Sequence, residues 1–267
     1  MTGDDFGRSC SVNEAITEAH RQGILTTASL MVGAEATADA VARAKRLPRL
    51  KVGLHIVLVD GQPVLPPDQI PALVENDGRF TCALGRAGVN YFFSPPARRQ
   101  LAAEIRAQFE RFSTTGLSLD HVNTHHHLHL HPTVLSVILK VGRAYGIRAV
   151  RLPYEPLLPS WNAALRPFMV NLGLAPWQGF LRWRLRQAGI ASNHFVFGLS
   201  HTGMMTEDRL LALLPRLPEG VSELYFHPDH AAGARELQAL VSPAVASALH
   251  VLGIHPTSFT ELTARRV

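Results

Sequence analysis

The chain has 267 residues, 46% of them hydrophobic, a formal net charge of +5 and two cysteines, Cys10 and Cys82. That size and apolar fraction suit one domain with a full core, while two cysteines exclude a disulfide scaffold and fit a reducing compartment. No apolar run of about 18 residues occurs, so no membrane-spanning helix is expected, and the excess Arg is scattered without a basic-aromatic nucleic-acid motif.

In chain order, Gly3-Asp4-Asp5-Phe6-Gly7 comes first, at a predicted strand-to-helix turn. Ser11-Val12-Asn13-Glu14 is a capping-box pattern, and Val12, Ile16 and Ala19 continue an apolar stripe to about Arg21. Gly23 ends that helix. A buried strand is predicted over 24–32, an Ala-rich helix over 36–47, and a second apolar strand over 51–59 carrying His55. This alternation predicts an α/β fold with a parallel sheet wrapped by helices. Residues 60–96 are irregular, a length of loop that is more often functional than idle. A helix follows over 100–112, then the stretch from His121 to Pro132, which holds six of the fourteen histidines.

If that stretch runs extended, period-2 geometry places His125, His127, His129 and His131 on one side and His126 on the other. Pro132 then opens a helix over 133–145. Residues 146–153 are predicted to form another strand ending in Arg151. Residues 154–192 break the alternation with Phe168, Phe180, several Arg and all three tryptophans, Trp161, Trp177 and Trp183. The pattern resumes with a helix over 206–217, a strand over 222–226 ending at His227, a helix over 234–249 and a last short strand or turn over 257–259.

Several of these residues carry chemistry. Asp5, His55 and His125, each at a predicted strand C-terminus, would make a two-His, one-carboxylate metal site with open positions. Singly, each has a plainer reading: an Asx cap for the acidic pair, a satisfied core residue for His55. His227 is a second catalytic candidate, or a loop histidine packed by Pro228. Arg151 could orient Asp4, hold a substrate oxygen or form a surface salt bridge.

Taken together, Asp4-Asp5-Phe6-Gly7, Asn13, Ser29-Leu30-Met31-Val32, Gly53-Leu54-His55, His125-His126-His127-Leu128-His129, Arg151-Leu152-Pro153 and Phe226-His227-Pro228 resemble the YdjC/ChbG family. The resemblance covers essentially the whole chain. It implies a metal-dependent carbohydrate deacetylase on a single deformed (β/α) TIM-like barrel spanning residues 1–267, with 154–192 as a helical insertion or lid. The implied cofactor is one divalent ion, Mg2+ or Zn2+, held by Asp5, His55 and His125. Asp4 matches the catalytic base and His227 the catalytic acid, with Arg151, His127 and His129 as substrate-binding candidates. His126 and His131 are expected not to be ligands. Tyr154-Glu155-Pro156, Phe197-Gly198-Leu199 and Gly203-Met204-Met205 resemble the hopanoid-biosynthesis-associated branch, which implies an N-acetylglucosaminyl hopanoid glycolipid as substrate.

A chitooligosaccharide deacetylase and a non-catalytic sugar- or metal-binding barrel are the alternatives. The partners expected are an amino-sugar or glycolipid substrate, no nucleic acid, peripheral membrane contact and a second copy of the chain as homodimer, in the cytoplasm or at the inner membrane face. Because only Met1-Thr2-Gly3 precede the acidic pair, the resemblance further implies a truncated first strand, an unpaired sheet edge, and a gain in stability on extension upstream by one apolar strand.

Overall fold

Short buried runs form the strands, and the side chains of Ser9, Ser94 and Ser242 cap the helices that follow them. The computed structural model describes residues 1–156, 158 and 165–264, with 165–175 described by backbone alone. The first half runs β1 (Thr2–Phe6), α1 (Cys10–Gln22), β2 (Thr27–Leu30), α2 (Thr37–Lys45), β3 (Lys51–Ile56), α3 (Leu84–Phe93), α4 (Pro95–Ser113) and β4 (Leu119–Thr124). The second half runs α5 (Pro132–Gly142), α6 (Leu165–Gln187), β5 (Phe195–Phe197), α7 (Glu207–Leu213), β6 (Ser222–Phe226), α8 (Ala234–Val241), α9 (Pro243–Val251) and α10 (Phe259–Ala264).

The strands form one curled, six-stranded sheet in the order β4-β3-β2-β1-β6-β5, with every pairing parallel. Near-continuous burial along β1 to β4 is what a parallel sheet covered by helices requires. β1 lies inside the sheet, with Thr2 and Gly3 paired to β2 on one side and β6 on the other. The unpaired edge expected at the first strand is therefore not found there. Of the strand predicted over 146–153, only isolated bridges remain, Val122 to Val150 and Ala149 to Ala191.

Other differences have local causes. Helix α1 is capped by Ser9, whose side chain accepts from the Val12 amide, rather than by Ser11. The span 60–96 contains α3, whose two glycines weaken the helical signal. The expected helix over 234–249 breaks at Ser242-Pro243, because proline lacks the amide and clashes with the preceding turn. At 257–259 a helix starts instead of a strand: Ser258 accepts from the Glu261 amide, a capping signal.

Helix α4 also fixes the loop after β3. Gln108 bonds both the amide and the carbonyl of Val57, and Glu104 accepts from the amides of Val64 and Leu65. Trp161 lies outside the described residues, as does the side chain of Phe168. No described helix is long and apolar enough to cross a membrane.

Candidate active site

Asp5 ends up beside His55 and His125 because the backbone of β1 does not stay extended. Asp5 has φ of +62°, and the register of β1 against β2 shifts between Gly3 and Phe6. This bulge re-aims consecutive side chains, so Asp4 and Asp5 both address His55 instead of opposite faces. Asn13 clamps the turn that follows: Oδ1 accepts from the Gly7 amide, and Nδ2 donates to the Ala36 carbonyl. His55, His125 and His227 also stand at the C-terminal ends of parallel strands, where α/β sheets place their ligands.

The histidine run departs from the extended register predicted for it. β4 stops at Thr124, and His125–Leu130 coil into a 3-10 turn with His126 and His127 both at φ +54°. With Asp5 and Asp60 (φ +48°), these are the described non-glycine residues with positive φ; His126 and His127 line the cavity described below, and Asp5 and Asp60 each face a nitrogen of His125. Such strained backbone persists where surrounding structure enforces it, commonly at functional sites.

Oδ1 of Asp5 lies 3.3 Å from Nε2 of His55 and 3.3 Å from Nδ1 of His125. Yet Asp5 Oδ1 and His55 Nε2 are buried without an aligned hydrogen bond. Buried polar atoms are normally satisfied. Three converging donors, two imidazole nitrogens and one carboxylate oxygen, fit a divalent cation. Tetrahedral donors at roughly 2.1 Å from an ion stand roughly 3.4 Å apart, close to the spacings here. Burial would raise the Asp5 carboxyl, but the facing imidazoles of His125 and His55 hold it well below the usual range.

Asp4 is held from behind. Arg151, 0% exposed, donates from Nη1 to Asp4 Oδ2 at 2.5 Å and from Nη2 to Oδ1 at 2.9 Å. The same Nη2 reaches Glu223 Oε1 at 2.7 Å, which also accepts from Thr2 Oγ1. Burial opposes ionisation of Asp4, and the Arg151 guanidinium overcomes it, keeping the carboxylate charged and its pKa far below normal. Asn123 touches both halves of the site. Its amide lies 2.6 Å from His55 Nδ1 and 3.3 Å from Asp4 Oδ1.

These groups open into a cavity of about 200 Å³ lined by Asp4, His55, Thr124, His125, His127 and His227, with Tyr225 and Thr202 among its other walls. The His227 amide donates to Glu236 Oε2 at 2.6 Å, which fixes the backbone at the end of β6. Of the three substrate-binding candidates, only His127 lines the cavity. Arg151 is sealed behind Asp4, and His129 is buried with Nδ1 2.8 Å from Thr124 Oγ1. Arg151 and His129 thus stand behind the cavity wall, in contact with Asp4 and Thr124. Burial, and then Arg151, push His129 down to about 3 and His127 well below its ordinary value. His131 packs away from the donors, against Phe92.

The sequence pattern of YdjC-like proteins matches residues 1–251. The chain belongs to the YdjC-like family. This YdjC-like protein is 30% identical over 275 aligned residues to a carbohydrate deacetylase of Geobacillus stearothermophilus, covering 98% of this chain and 96% of the relative. It is 42% identical over 154 residues to a carbohydrate deacetylase of Brevibacillus brevis, and there the match spans 58% of each chain. A match to one from Oceanobacillus iheyensis is 34% identical and spans 61% of that relative. In fold, it superposes on the crystal structure of a proposed cellobiose-phosphate cleavage protein from Enterococcus faecalis, with a TM-score of 0.77, 22% identity and 98% of this chain covered.

Sequence reasoning missed Asn123, Glu223, Tyr225, Glu236 and Asp60. Asn123 was within reach, since it shares the period-2 face of β4 with His125. Glu223 and Tyr225 alternate along β6 toward His227 in the same way. Glu236 and Asp60 carry no local signal, because only the tertiary fold brings them to the site.

Proposed function

We propose that this YdjC-like protein removes the N-acetyl group from an acetamido sugar by metal-assisted hydrolysis, giving a free amino sugar and acetate. The single observation that carries the reading is the convergence of Asp5, His55 and His125, with Asp5 Oδ1 and His55 Nε2 orphaned, beside an ionised Asp4. Relatives named carbohydrate deacetylases support the substrate class. The donor set suits zinc, whose preferred ligands include imidazole, better than magnesium, which favours oxygen. A divalent cation held there would polarise an acetamide carbonyl and acidify a water, the condition under which a carboxylate as weakly basic as Asp4 can serve as base.

Asp4 takes the proton from the attacking water, and the Arg151 fork keeps its carboxylate aimed into the cavity. His227, which also lines the cavity, gives a proton to the departing amine. The buried Arg151 and Glu223 set the charge of Asp4 without touching substrate.

The fold that carries this site is, in this reading, a deformed barrel. Hydrogen bonds from Val122 to Ala149, Val150 to Ala191 and Val196 to Tyr154 carry the sheet from β4 round toward β5. The substrate proposed is an N-acetylglucosaminyl hopanoid glycolipid, met at the inner membrane face. Its support is an aromatic ladder on α6, where Trp177, Phe180 and Trp183 follow one another at ring distances of 5.2 and 5.8 Å. Trp177 Nε1 donates to the Leu130 carbonyl, which ties the ladder to the histidine turn. Phe180 and Trp183 are 41% and 55% exposed, and exposed aromatic surface suits a lipid boundary.

The test is incubation of metal-loaded and chelator-treated protein with N-acetylglucosaminyl glycolipid and with N-acetylated oligosaccharide, followed by mass spectrometry. Loss of one acetyl group that returns on re-addition of metal supports the reading. No deacetylation of any acetamido sugar by the loaded protein would refute it.

A further inference from the structure

The two nitrogens of His125 face two different carboxylates. Nδ1 faces Asp5, as described, while Nε2 lies 3.8 Å from Oδ2 of Asp60. His126 Nε2 is 3.3 Å from that same Asp60 oxygen, and the His125 and His126 rings lie 4.2 Å apart between centroids. One donor atom from each of the three residues falls within 4.8 Å of the others.

The arrangement is built rather than incidental. The Asp60 amide donates to the Thr81 carbonyl, and the Cys82 thiol donates to Asp60 Oδ1 at 3.4 Å, leaving Oδ2 turned toward the imidazoles. Asp60 and His126 both hold left-handed backbone, which is uncommon for residues with a side chain. Their side chains are 43% and 40% exposed, so the position is open to ions from solution.

We propose that Asp60, His125 and His126 form a second, outer site for a borderline-soft divalent cation such as zinc, at the cavity mouth and sharing His125 with the inner set. Two imidazole nitrogens and one carboxylate oxygen at these spacings fit a tetrahedral ion whose remaining position faces water. Sharing has a consequence, which rests on the inner-site reading above. A neutral imidazole offers a lone pair on one nitrogen only, so at neutral pH His125 serves one ion at a time. An ion at the outer site draws His125 away from the inner set, and zinc in excess inhibits the enzyme.

The experiment is a zinc titration of the metal-free full chain against a chromogenic competing chelator, using wild type, His55→Ala, His126→Ala and the double variant. Circular dichroism checks that each is folded, and Asp60→Asn serves as a second outer-site variant. His55→Ala is expected to bind one zinc through the outer residues, and adding His126→Ala should abolish that binding. Activity at excess zinc should fall in wild type and not in His126→Ala or Asp60→Asn. No zinc binding by His55→Ala, or equal binding by the double variant, would overturn the outer site. Undiminished zinc inhibition in both outer-site variants would overturn the sharing of His125. Failure of the inner reading looks different: His126→Ala alone would then bind no zinc.

Discussion

At the scale of residues, the site is a set of charges that only make sense together. Asp5→Asn, His55→Ala and His125→Ala are each expected to lose the ion that survives dialysis against chelator, since three donors cannot spare one. Elemental analysis checks this, and full occupancy in two of the three would remove the assignment. Arg151 has no exposed surface and neutralises both Asp4 and Glu223. Arg151→Met should therefore destabilise the fold by about 3–5 kcal/mol, because it strands two buried carboxylates, a loss readable by denaturant unfolding. Arg151→Lys should recover only part, since an ammonium cannot reproduce the two-pronged contact. His129 gives a pH dependence. Its unfolded form takes a proton near pH 6.5, while the folded form resists protonation down to about 3. The unfolded chain thus binds more protons in that window, so stability is full above 6.5 and declines as pH falls toward 3. The melting temperature of the metal-free protein should follow that slope, and His129→Gln should flatten it.

At the scale of elements, legibility in the sequence tracks how local the signal is. The apolar runs that hold β2 and β3, and the proline that opens α5, could be read because burial and capping act over a few residues. The histidine turn could not, since an extended register is the default for alternating polar residues. Left-handed backbone at His126 and His127 is imposed by the fold around them. The same holds for the bulge at Asp5. Helix α6 shows the opposite case, where composition pointed to the right region without its structure. Its Trp177, Phe180 and Trp183 share one face by i, i+3 spacing, while Trp177 is tied to the Leu130 carbonyl. Phe180→Ala and Trp183→Ala are expected to lower turnover of a glycolipid in vesicles several-fold more than turnover of a short soluble oligosaccharide. Equal losses on both would mark the ladder as packing only.

At the scale of the whole molecule, β-α alternation was enough to place the catalytic candidates at strand C-termini, and the parallel sheet does bring Asp4, Asp5, His55, His125 and His227 to one end. What sequence supplies only in part is the layer behind them: it offers Arg151 as a partner of Asp4, but not Glu236, and not how these groups meet. Arg151, Glu223, Asn123 and Glu236 come from distant segments and meet only when the sheet curls. That layer keeps Asp4 an ionised, fixed carboxylate beside the converging donors Asp5, His55 and His125, the arrangement on which the proposed reaction rests. The most direct test compares Asp4→Asn with wild type at matched, measured metal content, following acetate release from an N-acetylglucosaminyl substrate. The expected result is an unchanged ion and a turnover lower by roughly 10²–10⁴-fold, the usual contribution of a positioned general base. Turnover equal to wild type with the ion in place would contradict it.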